Sequence, residues 1–215
     1  VRPFRVFGNQ AEINGQKVVA TLTQLYSQQE KFLVLEVDVP ASPEGKPLEI
    51  ANVNVAYDNM LTRRSDQLVG KASVNFSSSD QVIAASVNAD VLEAGVLLFA
   101  NERNKAATIL RDKGDIKAAR QLLIRNADYL KKYAADLGSV QLDVACNLNS
   151  IQSKNLDPAR WARSRKAMRL GQYATDTQQV YGALPENNAG QAAETQAPQQ
   201  KSAAPQPASK KATKK

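Results

Sequence analysis

Apolar and polar residues alternate with period two in two early stretches of the chain. Across residues 32–39, Leu35, Val37 and Val39 point one way and Glu36 and Asp38 the other; across 50–57, Val53, Val55 and Tyr57 oppose Asn52, Asn54 and Ala56. That pattern predicts strands with one apolar and one wet face. Residues 18–22, 68–76 (with Val74 and Phe76 on one face) and 82–87 read as further strands, and Ser77-Ser78-Ser79-Asp80 as the exit between the last two. The segment 40–47 can extend neither neighbour, because Pro40, Pro43 and Pro47 lack backbone donors and Gly45 permits a turn, so it predicts an antiparallel connection. Residues 1–89 are therefore expected to form a small antiparallel β-sandwich or sheet.

At Asp90 the period changes to that of a helix. Val91, Ala94, Leu98, Ala106, Ile109 and Leu110 recur at helical spacing over 90–113, with Asp90 as the expected N-cap and Gly114 as the stop. Asp115 then caps a second helix, whose stripe is Ala118, Ala119, Leu122, Leu123, Leu130 and Tyr133 and which ends at Gly138. Two helices joined by Lys113-Gly114-Asp115 make an αα-hairpin. Residues 140–151 are helical again, and Asp157-Pro158 supplies an N-cap and a first-turn proline for a last helix reaching about residue 181. The expected class is α+β: sheet or sandwich over 1–89, helical hairpin or bundle over 90–181, and a tail over 182–215. The tail is Ala, Gln, Pro, Lys and Ser with no aromatic beyond Tyr181 and a single Leu, a composition expected to stay disordered.

Composition narrows the chemistry. The 215 residues contain no His, which excludes a Ser-His-Asp triad, a Cys-His pair or a His-ligated zinc within this chain. Cys146 is the only cysteine, so no intrachain disulfide or CxxC pair can form, and its apolar neighbours predict a buried thiol. No phosphate-cradling GxxxxGK[ST] or GxGxxG occurs. The longest apolar run, 94–100, is far short of the roughly 18 residues of a membrane span, and the N-terminus lacks the apolar centre of a signal peptide. Asp112 with Asp115, and Glu36 with Asp38, lack the geometry of an acid and base pair and read as capping and solvation. The serine run 77–79 departs in order from a metal-binding DxSxS loop. The expectation is a chain without enzymatic activity, metal or cofactor.

Of the formal charge of +7, the tail beyond Gly182 carries +3 and the rest +4, much of it in Arg160-Trp161-Ala162-Arg163-Ser164-Arg165-Lys166-Ala167-Met168-Arg169. Arg160, Arg163, Arg165, Lys166 and Arg169 around a Trp are candidate contacts for an anionic partner, able to meet phosphates while Trp161 stacks on a base. At 100° per residue, however, Trp161, Ser164 and Met168 can face the helical hairpin while the cations occupy the solvated side, and that reading is favoured. The tail lysines add a weak attraction for nucleic acid, an acidic protein or an anionic surface.

One segment resembles a tetratricopeptide hairpin, without a second copy at a period of about 34 residues. A wider resemblance rests on Leu25-Tyr26-Ser27-Gln28-Gln29-Glu30-Lys31-Phe32-Leu33-Val34-Leu35, on Val39-Pro40, on Val53-Asn54-Val55-Ala56-Tyr57-Asp58, on Glu102-Arg103-Asn104-Lys105-Ala106-Ala107 and on Leu110-Arg111-Asp112-Lys113-Gly114-Asp115-Ile116-Lys117-Ala118-Ala119. In that order, over residues 18–181, the chain resembles the region that follows the von Willebrand factor A domain in bacterial and plant proteins. The resemblance implies a β-sandwich plus a helical segment, in an accessory or interaction module of a longer, bacterial protein whose ligand-binding domain lies upstream. The A domain's DxSxS metal site is not carried over, since the motif and the alternating parallel βα pattern are absent here. Nor is the zinc-binding RING of similar plant proteins, which one Cys and no His cannot supply. The implied partners are the upstream A domain and a further protein; the alternative is a nucleic-acid or anionic-surface binder using residues 160–169 and the tail. The compartment stays open, with the resemblance leaning to the bacterial cell envelope.

Overall fold

The computed structural model describes residues 1–22, 25 and 30–178. The segment 182–215, expected to be disordered, lies outside them.

Strands come first and pair only locally. β1 (Arg2–Phe7) pairs antiparallel with β4 (Val34–Asp38), β2 (Ala11–Asn14) with β3 (Lys17–Ala20), and β5 (Leu48–Asn59) with β6 (Arg64–Val74). The antiparallel pairing is as expected, but it is distributed over three two-stranded ribbons rather than one continuous sheet. Consequently 40–47 joins two strands that do not pair with each other: β4 returns to β1, and β5 turns back on β6. The alternation in β4 holds, with Leu35 and Val37 partly buried and Glu36 and Asp38 exposed. β1 and β2 were not anticipated. The signal for the β2–β3 hairpin is Gly15, which takes φ 63° at the first position of the two-residue turn Gly15-Gln16.

Residues 82–87, expected as a strand, belong instead to a short helix, α1 (Asp80–Ala85), and the turn after it. Ser79 caps it by accepting from the Val82 amide, and Asp80 adds an acid in the first turn; among the described residues no neighbouring strand offers Val82 and Ile83 a ladder, so local capping decides.

Four longer helices follow: α2 (Ala89–Asp112), α3 (Ile116–Leu137), α4 (Val140–Lys154) and α5 (Pro158–Thr177). Asn88, not Asp90, caps α2 by accepting from Val91 N, which leaves Asp90 as a first-turn acid beside the positive end of the helix dipole. Asp115, Ser139 and Asp157 cap the next three, and Gly138 closes α3 in the left-handed conformation at φ 64°. α5 ends at Thr177 with Gln178 as its cap, and residues 179–181 lie outside the described part.

α2 packs against α3 and α5, and α3 against α4. Two apolar clusters result. One holds Val96, Ala100, Leu130, Ala134 and Leu142; the other holds Ala107, Ala119, Leu123, Leu156 and Met168, with Trp161 against it. The stripe expected on α2 holds in part: Leu98 is buried and Ala94 and Leu110 are half-buried, but Val91, Ala106 and Ile109 are exposed, while Asn101, Asn104, Thr108 and Arg111 are buried. The β1–β4 ribbon is fastened to this bundle at two points. Phe7 is buried edge-on against Phe99 of α2, their ring centres 6.1 Å apart, and Lys31 and the Phe32 amide bond to Thr177 O and Gln178 Oε1 at the end of α5.

Candidate functional site

The basic stretch lies on α5, as its Asp157-Pro158 start requires, and the packing sorts its side chains. Met168 is buried, Trp161 and Ser164 are partly buried, and Arg160, Arg163, Arg165, Lys166 and Arg169 are exposed. Trp161 therefore faces the α2–α3 hairpin. Its indole N–H donates to Asp112 Oδ1 at 3.0 Å, and the Arg111 guanidinium lies 5.1 Å from its ring centre. Arg165 Nε donates to both oxygens of the same carboxylate, at 2.9 and 2.8 Å. Desolvation is the largest single influence on Asp112 and opposes its ionisation, but the bonds from Arg165 and Trp161, with the charges of Arg165 and Arg169, together outweigh it and hold the carboxyl below the usual aspartate range.

Three of the five cations thus have partners inside the chain. Arg165 is held by Asp112, Arg160 bonds Asn155 Oδ1 and lies 3.7 Å from Asp157, and Arg169 Nη1 donates to Gln172 Oε1 at 3.4 Å. Arg163 and Lys166 project from the same helix without such a bond among the described residues. A Trp already bonded to a carboxylate and packed on a cluster is poorly placed to stack on a base.

Between the two apolar clusters runs a layer of buried amides that the apolar periodicity did not disclose. Asn104 Nδ2 donates to Asn149 Oδ1 and Gln152 Oε1; Gln172 Nε2 donates to Asn104 Oδ1 and Thr108 Oγ1; Asn126 Nδ2 donates to Ala100 O and Asn149 Oδ1. α2, α3, α4 and α5 all contribute. Nearby, Lys105 bridges Glu102 on its own helix and Asp176 on α5, each at 2.6 Å. Burial pulls its pKa down, yet those two carboxylates outweigh it and leave it raised. These groups bond one another, and among the described residues only Asn126 Oδ1 of the fully buried side-chain polar atoms has no partner. The layer's chemistry is consumed in joining helices.

An open groove of about 600 Å³ lies between α3 and α4, lined by Arg120, Ile124, Ala127, Asp128, Ser150, Ser153 and Lys154. Ser150 and Ser153 donate to helix carbonyls, and Arg120 Nε donates to Ser153 O, so neither hydroxyl is paired with a base. Cys146 is partly rather than fully buried, and burial pushes its thiol pKa up, against thiolate chemistry at neutral pH. Among the described residues no cluster of three or more Cys, Asp or Glu side chains is arranged to hold a metal, and no helix is long and apolar enough to cross a membrane.

The surface least satisfied by the fold is on β5–β6. Cross-strand partners share a face, so Ala51–Ala72, Val53–Gly70, Val55–Leu68 and Tyr57–Asp66 form one side, and Asn52–Lys71, Asn54–Val69, Ala56–Gln67 and Asp58–Ser65 the other. The first side is the apolar face legible in the sequence, and a sandwich should cover it. It is open: Val53 is 48% exposed, Val55 44%, Tyr57 43% and Leu68 58%, with Met60 and Leu61 bare at the turn. Compared with family models, curated proteins and solved structures, the chain matches none.

Proposed function

We propose that this chain is a non-catalytic protein-interaction module, acting as the accessory region of a von Willebrand factor A domain-containing protein and supporting or orienting a ligand-binding domain upstream. The observation that carries the reading is the open apolar face of β5–β6. A two-stranded ribbon is marginal in water by itself, and four half-exposed apolar side chains in register on one face are what a partner protein covers. The basic helix supports the nucleic-acid alternative less, because Asp112 takes both Trp161 and Arg165.

Titration of the chain with short single- and double-stranded oligonucleotides, followed by Trp161 emission, tests this. The expected result is no saturable binding at about 150 mM salt and an emission insensitive to oligonucleotide. Saturable binding at that salt, with quenching at Trp161 and a log-log salt slope that flattens by about 0.7 to 0.9 for each of Arg163→Gln and Lys166→Gln, would replace the interaction module with the anionic-partner reading.

A further inference from the structure

Asn14 alone among the asparagines of the chain precedes a glycine. It closes the β2–β3 hairpin opposite Lys17, with Gly15 and Gln16 as the turn, and residues 12–17 are all exposed. Gly15 takes φ 63°, and an added Cβ there would meet nothing within 4 Å, so solvent has free access to the peptide bond between Asn14 and Gly15. Among the described residues neither the Gly15 N–H nor the Asn14 carboxamide has a hydrogen-bond partner. The turn's one side-chain tie lies a residue further on, where Gln16 Nε2 donates to Val1 O at 3.3 Å. With four residues in each strand, and β1 as its main contact elsewhere, the hairpin belongs to the marginal class that opens locally.

We propose that Asn14 is a site of spontaneous deamidation in the folded chain, reached through local opening of the β2–β3 hairpin. Ring closure puts Gly15 N in one five-membered ring with the Asn14 carbonyl carbon, Cα, Cβ and Cγ, which the extended backbone of a strand prevents, so the turn must open first. Glycine then favours the step, because no side chain shields its nitrogen. Hydroxide takes the Gly15 amide proton, the nitrogen attacks Asn14 Cγ, and the Cγ–Nδ2 bond breaks, Nδ2 leaving as ammonia with a proton from water. A water molecule then adds to the succinimide. Breaking the ring's N–Cγ bond leaves an aspartate at position 14; breaking its bond from N to the backbone carbonyl carbon leaves isoaspartate, joined to Gly15 through the side chain. One water is consumed and one ammonia released, with no oxidant or reductant. Either product sets a carboxylate opposite Lys17 and lowers the formal charge of +7 by one. Isoaspartate also lengthens the backbone by one methylene, which breaks the turn geometry that sets the register of β2 on β3.

Incubation of the full chain at mildly alkaline pH in water enriched in heavy oxygen, followed by tryptic peptide mapping, tests the proposal. Cleavage after Arg5 and Lys17 releases residues 6–17 as one peptide, in which Asn9, before Gln10, is an internal reference; the exposed Asn75, before Phe76, is a second. Asn14 is expected to convert at least about ten times faster than either, giving an aspartate and an isoaspartate product that each carry one heavy oxygen. An Asn14 that keeps its amide, or converts no faster than Asn9 and Asn75, overturns the site. The route has its own test. Ala11 and Ala20 face each other at the open end of the hairpin as a non-hydrogen-bonded pair, whose Cα atoms lie close enough for a disulfide. In Ala11→Cys/Ala20→Cys/Cys146→Ala, closing that disulfide is expected to slow conversion at Asn14 about tenfold relative to the reduced form of the same variant, with circular dichroism checking that both forms fold. Equal rates in the two forms overturn hairpin opening as the route.

Discussion

At the scale of single residues, the Asp112 carboxylate ties α2 to α5, accepting from Trp161 and from Arg165. Asp112→Ala is expected to cost about 1 kcal/mol, kept small because Arg165 is about half exposed and its pairing is screened. The folded carboxyl is held below its unfolded value. Its contribution is therefore present above about pH 4, and it is lost as pH falls through the folded value. Thermal melts of wild type and variant at pH 7 and pH 3 check this: the gap between them should narrow in acid, while Trp161 emission shifts to the red in the variant at pH 7. Gln172 is the second such residue. Gln172→Leu removes the donor to Asn104 Oδ1 and Thr108 Oγ1, and the buried acceptors left behind should make it cost about 1 to 3 kcal/mol by urea denaturation, more than a surface Gln would.

At the scale of elements, helix ends were the most readable feature of the sequence, because capping needs only the residues next to it. Asp115, Gly138 and Asp157 act as their positions announce. Asn88 shows the limit: two adjacent candidates, Asn88 and Asp90, both suit an N-cap, and which amide the side chain reaches is settled by where the chain turns. At Gly138, φ is 64° and an added Cβ would meet nothing within 4 Å, so only backbone strain opposes substitution. Gly138→Ala is expected to cost about 1 kcal/mol and Gly138→Asn less, read as the difference in melting temperature; equal values would remove the left-handed cap as the reason for the glycine. Burial stripes were less readable. On α2 the expected stripe is buried at Leu98 but exposed at Val91, Ala106 and Ile109, and the buried side also carries Asn101, Asn104 and Thr108, since amide groups can be buried when other helices bring them partners.

For the whole molecule, the joint between ribbon and bundle rests on Phe7, which is 5% exposed and packed edge-on against Phe99. Phe7→Ala is expected to cost about 3 kcal/mol, and hydrogen exchange should accelerate across β1 and β4 before it does in α3 and α4. Uniform acceleration would show that ribbon and bundle open together. The sequence by itself determined what local chemistry and periodicity decide: an α+β chain, an early antiparallel part, an αα-hairpin turning at Gly114, and a basic helix whose Trp161 and Met168 face inward. It also determined the two faces of β5, since alternation depends only on the pleat. Only the tertiary structure decided which strands pair, that 82–87 belong to a short helix and turn rather than a strand, and that Arg165 and Trp161 share Asp112. It alone disclosed the amide layer and left the β5–β6 face open. The reason is range: a cap or a pleat is fixed by neighbours along the chain, whereas strand partners, buried polar contacts and the cover of an apolar face depend on residues distant in sequence.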